Sequence, residues 1–472
     1  MHFGLLTNSD GTGRFTNPLG DYGSGGSDYD GTETHYASPT GTSSWAAAAV
    51  SSLTPCSVET AFQNAVAGNR VKILPGTLDC AGTDFNEPYL RPSNNGTSGN
   101  EIVFFAENPA SRNRGAGNTV LTQFRNTTNI GAIFGAHTPS TGIHHVILDG
   151  IDFPEYQNSE ADGSYQVVLF SCSNVTLSKC TFNGESQATG AQNHGFVFSD
   201  GSSYVTMEDC YFENNSGSGE NAAAVMFYGT TYTAIRYCTF DNNETGLFIK
   251  GEGVHGKNGN LTIEKNLFMN HSYTAIAIGG HQETTPDSGA RSYIQQNIFY
   301  NNTKGVSGIQ YGSYHSYVSI NNNTVYLTTG TVGGNADCFY YFSTNVTSGN
   351  VGNEIKNNLF SDIGGAWLAE DNRTTAEVDI TSFDIDGNYY FNEDYIFYGN
   401  PNVTSLSTWQ STYNHDDTAG TQGSNPNFQS TTVGNANFLK LNAGSPALTA
   451  STTNGPVGAY ITGSEQIGMR AA

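Results

Sequence analysis

The chain has 472 residues, among them 56 glycines, 27 phenylalanines and 26 tyrosines, and only 13% of it is charged. With 18 Lys and Arg against 42 Asp and Glu it carries a net charge of −24, which repels a phosphate backbone or an anionic membrane surface and argues against a nucleic-acid partner. No run nears the roughly 20 apolar residues of a membrane span, and the chain is too long for one ordinary globular core yet has no linker to divide it, so a single elongated repeat domain is expected.

Residues 1–33 are rich in Gly, Asp, Ser and Thr, carry no periodicity, and read as an N-terminal arm, either an attachment segment or a disordered lead. The opening MHFGLLTNSDGTGRF lacks a basic n-region, so no secretory signal is expected there. Either the chain reaches the outside by another route, such as virion assembly and cell lysis, or a signal preceded this numbering. DYDGTE (28–33) and, far downstream, DIDGN (384–388) open like calcium loops but complete no twelve-residue spacing. Ca2+ is thus left open as an unlocated ion, and no cofactor is otherwise called for.

The stretch 54–78 predicts a short amphipathic helix with Ser57 as N-cap and Gly68 as C-cap, followed by a strand. Val58, Ala61, Phe62, Ala65 and Val66 fall on its apolar face, which would plug the open end of a coil. Cys56 and Cys80 flank it, which leaves a disulfide open.

From residue 144 one phrase recurs: HHVILDGIDF (144–153), SNVTLSKCTF (173–182), SYVTMEDCYF (203–212), GNLTIEKNLF (259–268), GNEIKNNLF (352–360) and three intervening copies, ending in SFDIDGNYY (382–390). Successive copies are 29, 30, 28, 28, 31, 26, 35 and 30 residues apart. Between them lie second apolar runs such as YQVVLF (165–170), GFVFSD (195–200), AVMFYG (224–229) and GLFIKG (246–251), bounded by turn residues. Alternation within strands and a period near thirty between them mean one coil per repeat, with equivalent residues stacked at roughly 4.8 Å. The architecture expected is all-β, a parallel β-helix over 34–395 with a C-terminal closing region, 396–472, packed on it.

Two columns follow from that register. Leu148, Leu177, Met207, Ile235, Ile263, Ile294, Ile320, Ile355 and Ile385 read as core. Ile151, Cys180, Cys210, Cys238, Asn266, Asn297, Asn323, Asn358 and Asn388 read as a cysteine ladder passing into an asparagine ladder, whose amides can bond from coil to coil. Phe182, Phe212, Phe240, Phe268, Phe299 and Phe360 should stack inside.

HYASPTG (35–41), AVAGNRVKILPGTL, GTSGNEIVFFAENP (96–109), these rungs, SNPNFQ (424–429) and FLKLNAGSPALTAS (438–451) resemble the pectate-lyase-like right-handed parallel β-helix superfamily. The resemblance implies the fold over nearly the whole chain. It implies a glycan partner as well, since the superfamily includes polysaccharide lyases, glycoside hydrolases, phage tailspikes and adhesins. The calcium-binding aspartates and catalytic arginine of pectate lyases, and the paired aspartates of polygalacturonases, find no match.

In the second strands, Val197, Ser199, Met226, Tyr228, Phe248, Lys250 and Tyr311 are expected to point outward, and exposed aromatic rings suit the apolar faces of sugars. The loops after those strands gather Asp200, Lys250, Glu252, His255, Lys257, His281, Glu283, Arg291, Tyr314 and His315. For a uronate lyase, Lys250, Lys257 or Arg291 would neutralise the carboxylate, and His255, His281 or Tyr314 would move protons. For a hydrolase, Asp200, Glu252 and Glu283 supply the carboxylates. The candidate catalytic set is Lys250, His255, Lys257, His281, Glu283 and Arg291. The candidate substrate-binding set is Asp200, Tyr228, Phe248, Glu252, Tyr311, Tyr314 and His315. Three readings follow: a glycan-recognising, tailspike-type protein of a virion surface, trimeric by the resemblance and able to depolymerise its ligand; a free secreted lyase or hydrolase; and a non-enzymatic adhesin, capsid decoration or filament. Each places the protein outside the cell or on a virion.

Overall fold

The computed structural model describes residues 33–80, 88–110, 121–126, 132–136, 142–156, 164–184, 194–217, 219, 221–250, 258–278, 288–308, 317–326, 338–342, 352–363, 365–370, 383–392, 395–398, 402–416 and 419–469. Among the described residues, the strands form three parallel sheets, here sheet A with 13 strands, sheet B with 12 and sheet C with 10. The chain visits them in rotation. One coil runs through Ser173–Ser178 in sheet A, Thr181–Gly184 in sheet B and His194–Asp200 in sheet C, and the next begins with Ser203–Glu208, again in sheet A. Register is kept from coil to coil: Leu177 faces Met207, Phe182 faces Phe212, and Val197 faces Val225.

The corners explain the asparagine content. Asn214, Asn242, Asn270, Asn301 and Asn392 at the B-to-C corner all have φ between 51° and 63°, the left-handed region that asparagine tolerates better than most residues. Inside, the expected core column from Leu148 to Ile385 is buried throughout. The phenylalanines of sheet B stack along the axis, with centroids 4.7 Å apart for Phe153 and Phe182, 4.9 Å for Phe182 and Phe212, and 4.8 Å for Phe240 and Phe268. Burying each such ring contributes roughly 1.5–3 kcal/mol.

At the A-to-B corner, Asn266 Nδ2 donates to Asn297 Oδ1 at 3.0 Å, Asn297 to Asn323 at 3.1 Å, and Asn323 to Asn358 and Asn358 to Asn388 at 3.0 Å each. Each Nδ2 also donates to a carbonyl one coil back, as Asn297 does to Ile263 at 2.8 Å. Each Oδ1 accepts a second bond from the preceding backbone N–H, as Asn323 does from Asn297. Donors and acceptors are thereby satisfied where water is excluded. Cys180, Cys210 and Cys238 occupy the same corner in earlier coils, buried and free.

At the N-terminal end, the helix Val58–Asn64 is capped by Ser57, whose side chain accepts from Thr60 N. Val58, Ala61 and Phe62 are buried, and Phe62 stacks on Phe104 at 3.9 Å. Two expectations are corrected. The helix ends at Asn64 with Ala65 as C-cap, so Val66 leaves the apolar face and is 50% exposed. Cys56 and Cys80 are both free, so no disulfide joins them.

After Tyr395–Tyr398 the chain forms the helix Leu406–Tyr413, which seats Trp409 against Trp367 at 5.8 Å. It then runs back along the outer face of sheet B. Gly458 N bonds Asn357 O, Ala459 N bonds Thr324 Oγ1, Gly468 N bonds Lys265 O, and Met469 N reaches Thr239 Oγ1. Phe438, Leu439 and Tyr460 pack on Leu267, Ile298 and Tyr300, so the segment straps several coils together.

Candidate functional site

Sheet C presents the chemistry. Register places Phe170, Asp200, Tyr228 and Lys250 in one column at the C-terminal ends of successive strands. Beside it runs a second outward column, Val168, Phe198, Met226, Phe248 and Ala277. The Lys250 ammonium lies 5.3 Å from the Tyr228 ring centroid and 5.7 Å from that of Phe248, and it donates to Asn221 Oδ1 at 3.2 Å. Two ring faces and an amide hold the cation over the sheet, the arrangement by which aromatic quadrupoles stabilise an ammonium. Phe198 ties the floor together, 5.0 Å from Tyr165, 5.6 Å from Phe170 and 5.3 Å from Tyr228.

Several expectations change here. Val197 and Ser199 point into the coil, and Phe198 and Asp200 take the outward phase. Phe248 is 0% exposed and Met226 nearly so, because the outer face of sheet C carries an apolar layer of its own with Tyr165, Val168, Ala223 and Ala277. Phe248 is therefore the floor beneath Lys250, not a ring that meets a ligand. Asp200 is 3% exposed, beside Tyr228 in the column. Sequence reasoning missed Tyr165, Phe170, Phe198 and Asn221. A strand buried on both faces shows no alternation from which its phase can be read.

Arg291 is placed elsewhere. Its guanidinium donates to Ser319 Oγ at 2.7 Å, pairs with Glu354 at 3.2 Å and lies 5.5 Å from the Tyr317 ring, all at the start or on the outer face of sheet A. Glu252, His255, Lys257, His281, Glu283, Tyr311, Tyr314 and His315 lie outside the described residues. The carboxylates of DIDGN are committed to other bonds: Asp384 pairs with Lys356, and Asp386 accepts from Gly387 N and Ala419 N. Calcium does not fit there, and among the described residues no three His, Cys, Asp or Glu side chains gather to hold a metal.

Buried titratable groups elsewhere serve the fold. His271 takes the place that Asn215, Asn243 and Asn302 hold in other coils, and burial lowers its imidazole to about 4. Asp416 closes the asparagine ladder. Its Oδ1 accepts from Asn388 N and Nδ2, and its Oδ2 accepts from Tyr390 Oη and Trp409 Nε1.

Residues 144–325 match the family described as a right handed beta helix region. No curated protein matches the chain. Among solved structures it is similar to a mannuronic acid specific polysaccharide family 6 lyase enzyme from human gut microbiota, at 15% identity over 71% of this chain and 72% of that one, with a TM-score of 0.48. It is similar to the pectate lyase Pel9A at 14% identity, 91% and 97% coverage and a TM-score of 0.46. A third is PfbA, a surface adhesin of Streptococcus pneumoniae, at 13% identity, 70% and 84% coverage and a TM-score of 0.38. What the chain has in common with them is the fold, a right-handed parallel β-helix.

Proposed function

We propose that the protein binds and cleaves an acidic surface polysaccharide on the outer face of sheet C, by elimination at a uronate unit. The observation that carries this reading is the Lys250 ammonium, held over Tyr228 and Phe248 in a chain of net charge −24, one coil from Tyr228 and two from Asp200. Elimination needs a cation to neutralise the uronate carboxylate, so that the α-proton can be taken while the bond to the leaving oxygen breaks and a ring double bond forms. Lys250 supplies the cation, and Tyr228 stands beside it to exchange the proton. A hydrolase needs two facing carboxylates, and the described part of this face offers Asp200 alone.

Incubation with alginate, pectate, chondroitin and bacterial capsule, following the ultraviolet absorbance of unsaturated ends beside reducing sugar, tests the reaction. Unsaturated ends should form on at least one acidic polymer, Lys250→Ala should lower turnover by at least a hundredfold, and its thermal unfolding should stay near that of the wild type. Reducing ends without unsaturation would replace elimination by hydrolysis, and full turnover in Lys250→Ala would remove the site.

The attachment side of the proposal is a tailspike-type homotrimer on a virion surface. It is supported by Cys56, Cys80, Cys172, Cys180, Cys210 and Cys238, which are buried free thiols and so suit assembly in a reducing compartment. A monomer in sedimentation under mild buffer would count against it.

A further inference from the structure

The corner that leads from sheet C to sheet A carries a second column, four residues beyond the first. Asp200 is followed by Tyr204 and Tyr228 by Tyr232, and the column holds His145, Asn174, Tyr204, Tyr232, Asn260, Arg291 and Tyr317 in successive coils. Apart from Arg291, every one of these residues has φ between 53° and 57°. Asparagine adopts that conformation readily, and the fold uses it at Asn174 and Asn260, whereas a bulky ring held there is disfavoured. Tyrosine nevertheless stands there three times. The Tyr204 and Tyr232 rings stack at 5.0 Å and 10°, which returns part of the cost, yet the pair does not enter the core, and Tyr232 remains 37% exposed.

With their faces turned to each other, the two rings reach the surface one coil apart along the axis, Tyr232 exposed and Tyr204 half-buried. Further up the same column Arg291 is held by Ser319 and Glu354 over Tyr317, a guanidinium whose position is set before any ligand arrives. We propose that this tyrosine ridge is a second sugar-binding row, in which the hydroxyls of Tyr204 and Tyr232 bond the hydroxyls of a polysaccharide lying along the helix axis beside the Lys250 column. The inference rests on the sheet C reading for its polymer, but it concerns residues that take no part in the bond cleavage. The ridge holds sugar units that are not cut, so it acts on affinity and not on the chemical step.

The double variant Tyr204→Asn/Tyr232→Asn installs the residue the fold prefers in this conformation. Retardation in native gels containing alginate, polygalacturonate, chondroitin sulfate or capsular polysaccharide measures affinity, alongside kcat, KM and thermal unfolding. On the polymer that retards the wild type, the double variant should bind about tenfold more weakly, with KM raised, kcat retained and the melting temperature unchanged or higher. Tyr204→Phe/Tyr232→Phe, which keeps the stacked rings, should lose severalfold in affinity. Wild-type affinity in either pair overturns the ridge, as does loss confined to kcat. If Lys250→Ala keeps full turnover while the tyrosine pairs lose affinity, the sheet C reading fails and the ridge stands. If none of the four polymers retards the wild type, both fail.

Discussion

At the scale of single residues, two buried titratable groups oppose each other. Burial lifts the Asp416 carboxyl to about 6, against the pull of Tyr390, Asn388 and Trp409. That value lies above the ordinary carboxylate range near 3.9, so between roughly 4 and 6 the folded state holds more protons than the unfolded one. Its contribution therefore favours folding at low pH and weakens as the pH rises through 6. His271 runs the other way. Its folded value of about 4 lies below 6.5, the folded state holds fewer protons in that window, and stability is lost as the pH falls toward 4. Asp416 also has a position that only an acceptor suits, because two donors point at each of its oxygens. Asp416→Asn would turn an amide N–H toward the Trp409 N–H, and should cost about 1–3 kcal/mol in chemical denaturation at pH 7. Its deficit against the wild type should widen as the pH falls to 5. His271→Asn, which restores the residue of neighbouring coils, should gain relative to the wild type over the same range. A deficit that shrinks in the first case, or grows in the second, would show the sign of the linkage to be wrong.

At the scale of elements, what could be read in advance follows from repetition. Asn266, Asn297, Asn323, Asn358 and Asn388 are equivalent only because the coils recur, and that recurrence is written in the spacing of the phrases. The phase of sheet C was not legible: GFVFSD is apolar on both faces, so Val197 and Phe198 exchange roles without disturbing the pattern. Nor was the ridge: Tyr204 and Tyr232 keep a constant place in the recurring phrase, but His, Asn, Tyr and Arg alternate at it, so no common chemistry marks the column. The closing region 396–472 was expected to pack on the helix, but its path along sheet B was not legible, because 419–469 has no period and pairs with residues as distant as Thr239. Its role is open to test. Leu267, Ile298, Tyr300 and Tyr326 form an apolar sheet face that Phe428, Phe438, Leu439 and Tyr460 cover. A chain ending at residue 425 should keep the far-ultraviolet signature of the coils, whose strand-to-strand ladders do not involve the strap. It should also bind a hydrophobic dye and associate through the uncovered face. A truncated chain that stays monomeric and dye-free would mean the face is not held shut by the strap.

At the scale of the whole molecule, charge separates two distances of interaction. From afar the protein is a strong anion, at −24, and repels an acidic polymer. On the proposed binding face, such a polymer would meet the Lys250 ammonium and the Arg291 guanidinium. Salt weighs these differently: the screening length is about 30 Å at 10 mM and about 8 Å at 150 mM, so moderate salt removes the long-range repulsion while leaving a partly buried cation less affected. The association rate with alginate or pectate should therefore rise severalfold between 10 and 150 mM salt, and fall again only at higher concentrations as the contacts themselves are screened. A neutral glycan should show no such rise, which separates a preference for uronates from a general affinity for sugars. Stopped-flow mixing with a labelled polymer across that range measures it. Binding that is fastest at the lowest salt and declines throughout would mean that a local basic surface, and not the net charge of the chain, governs the encounter.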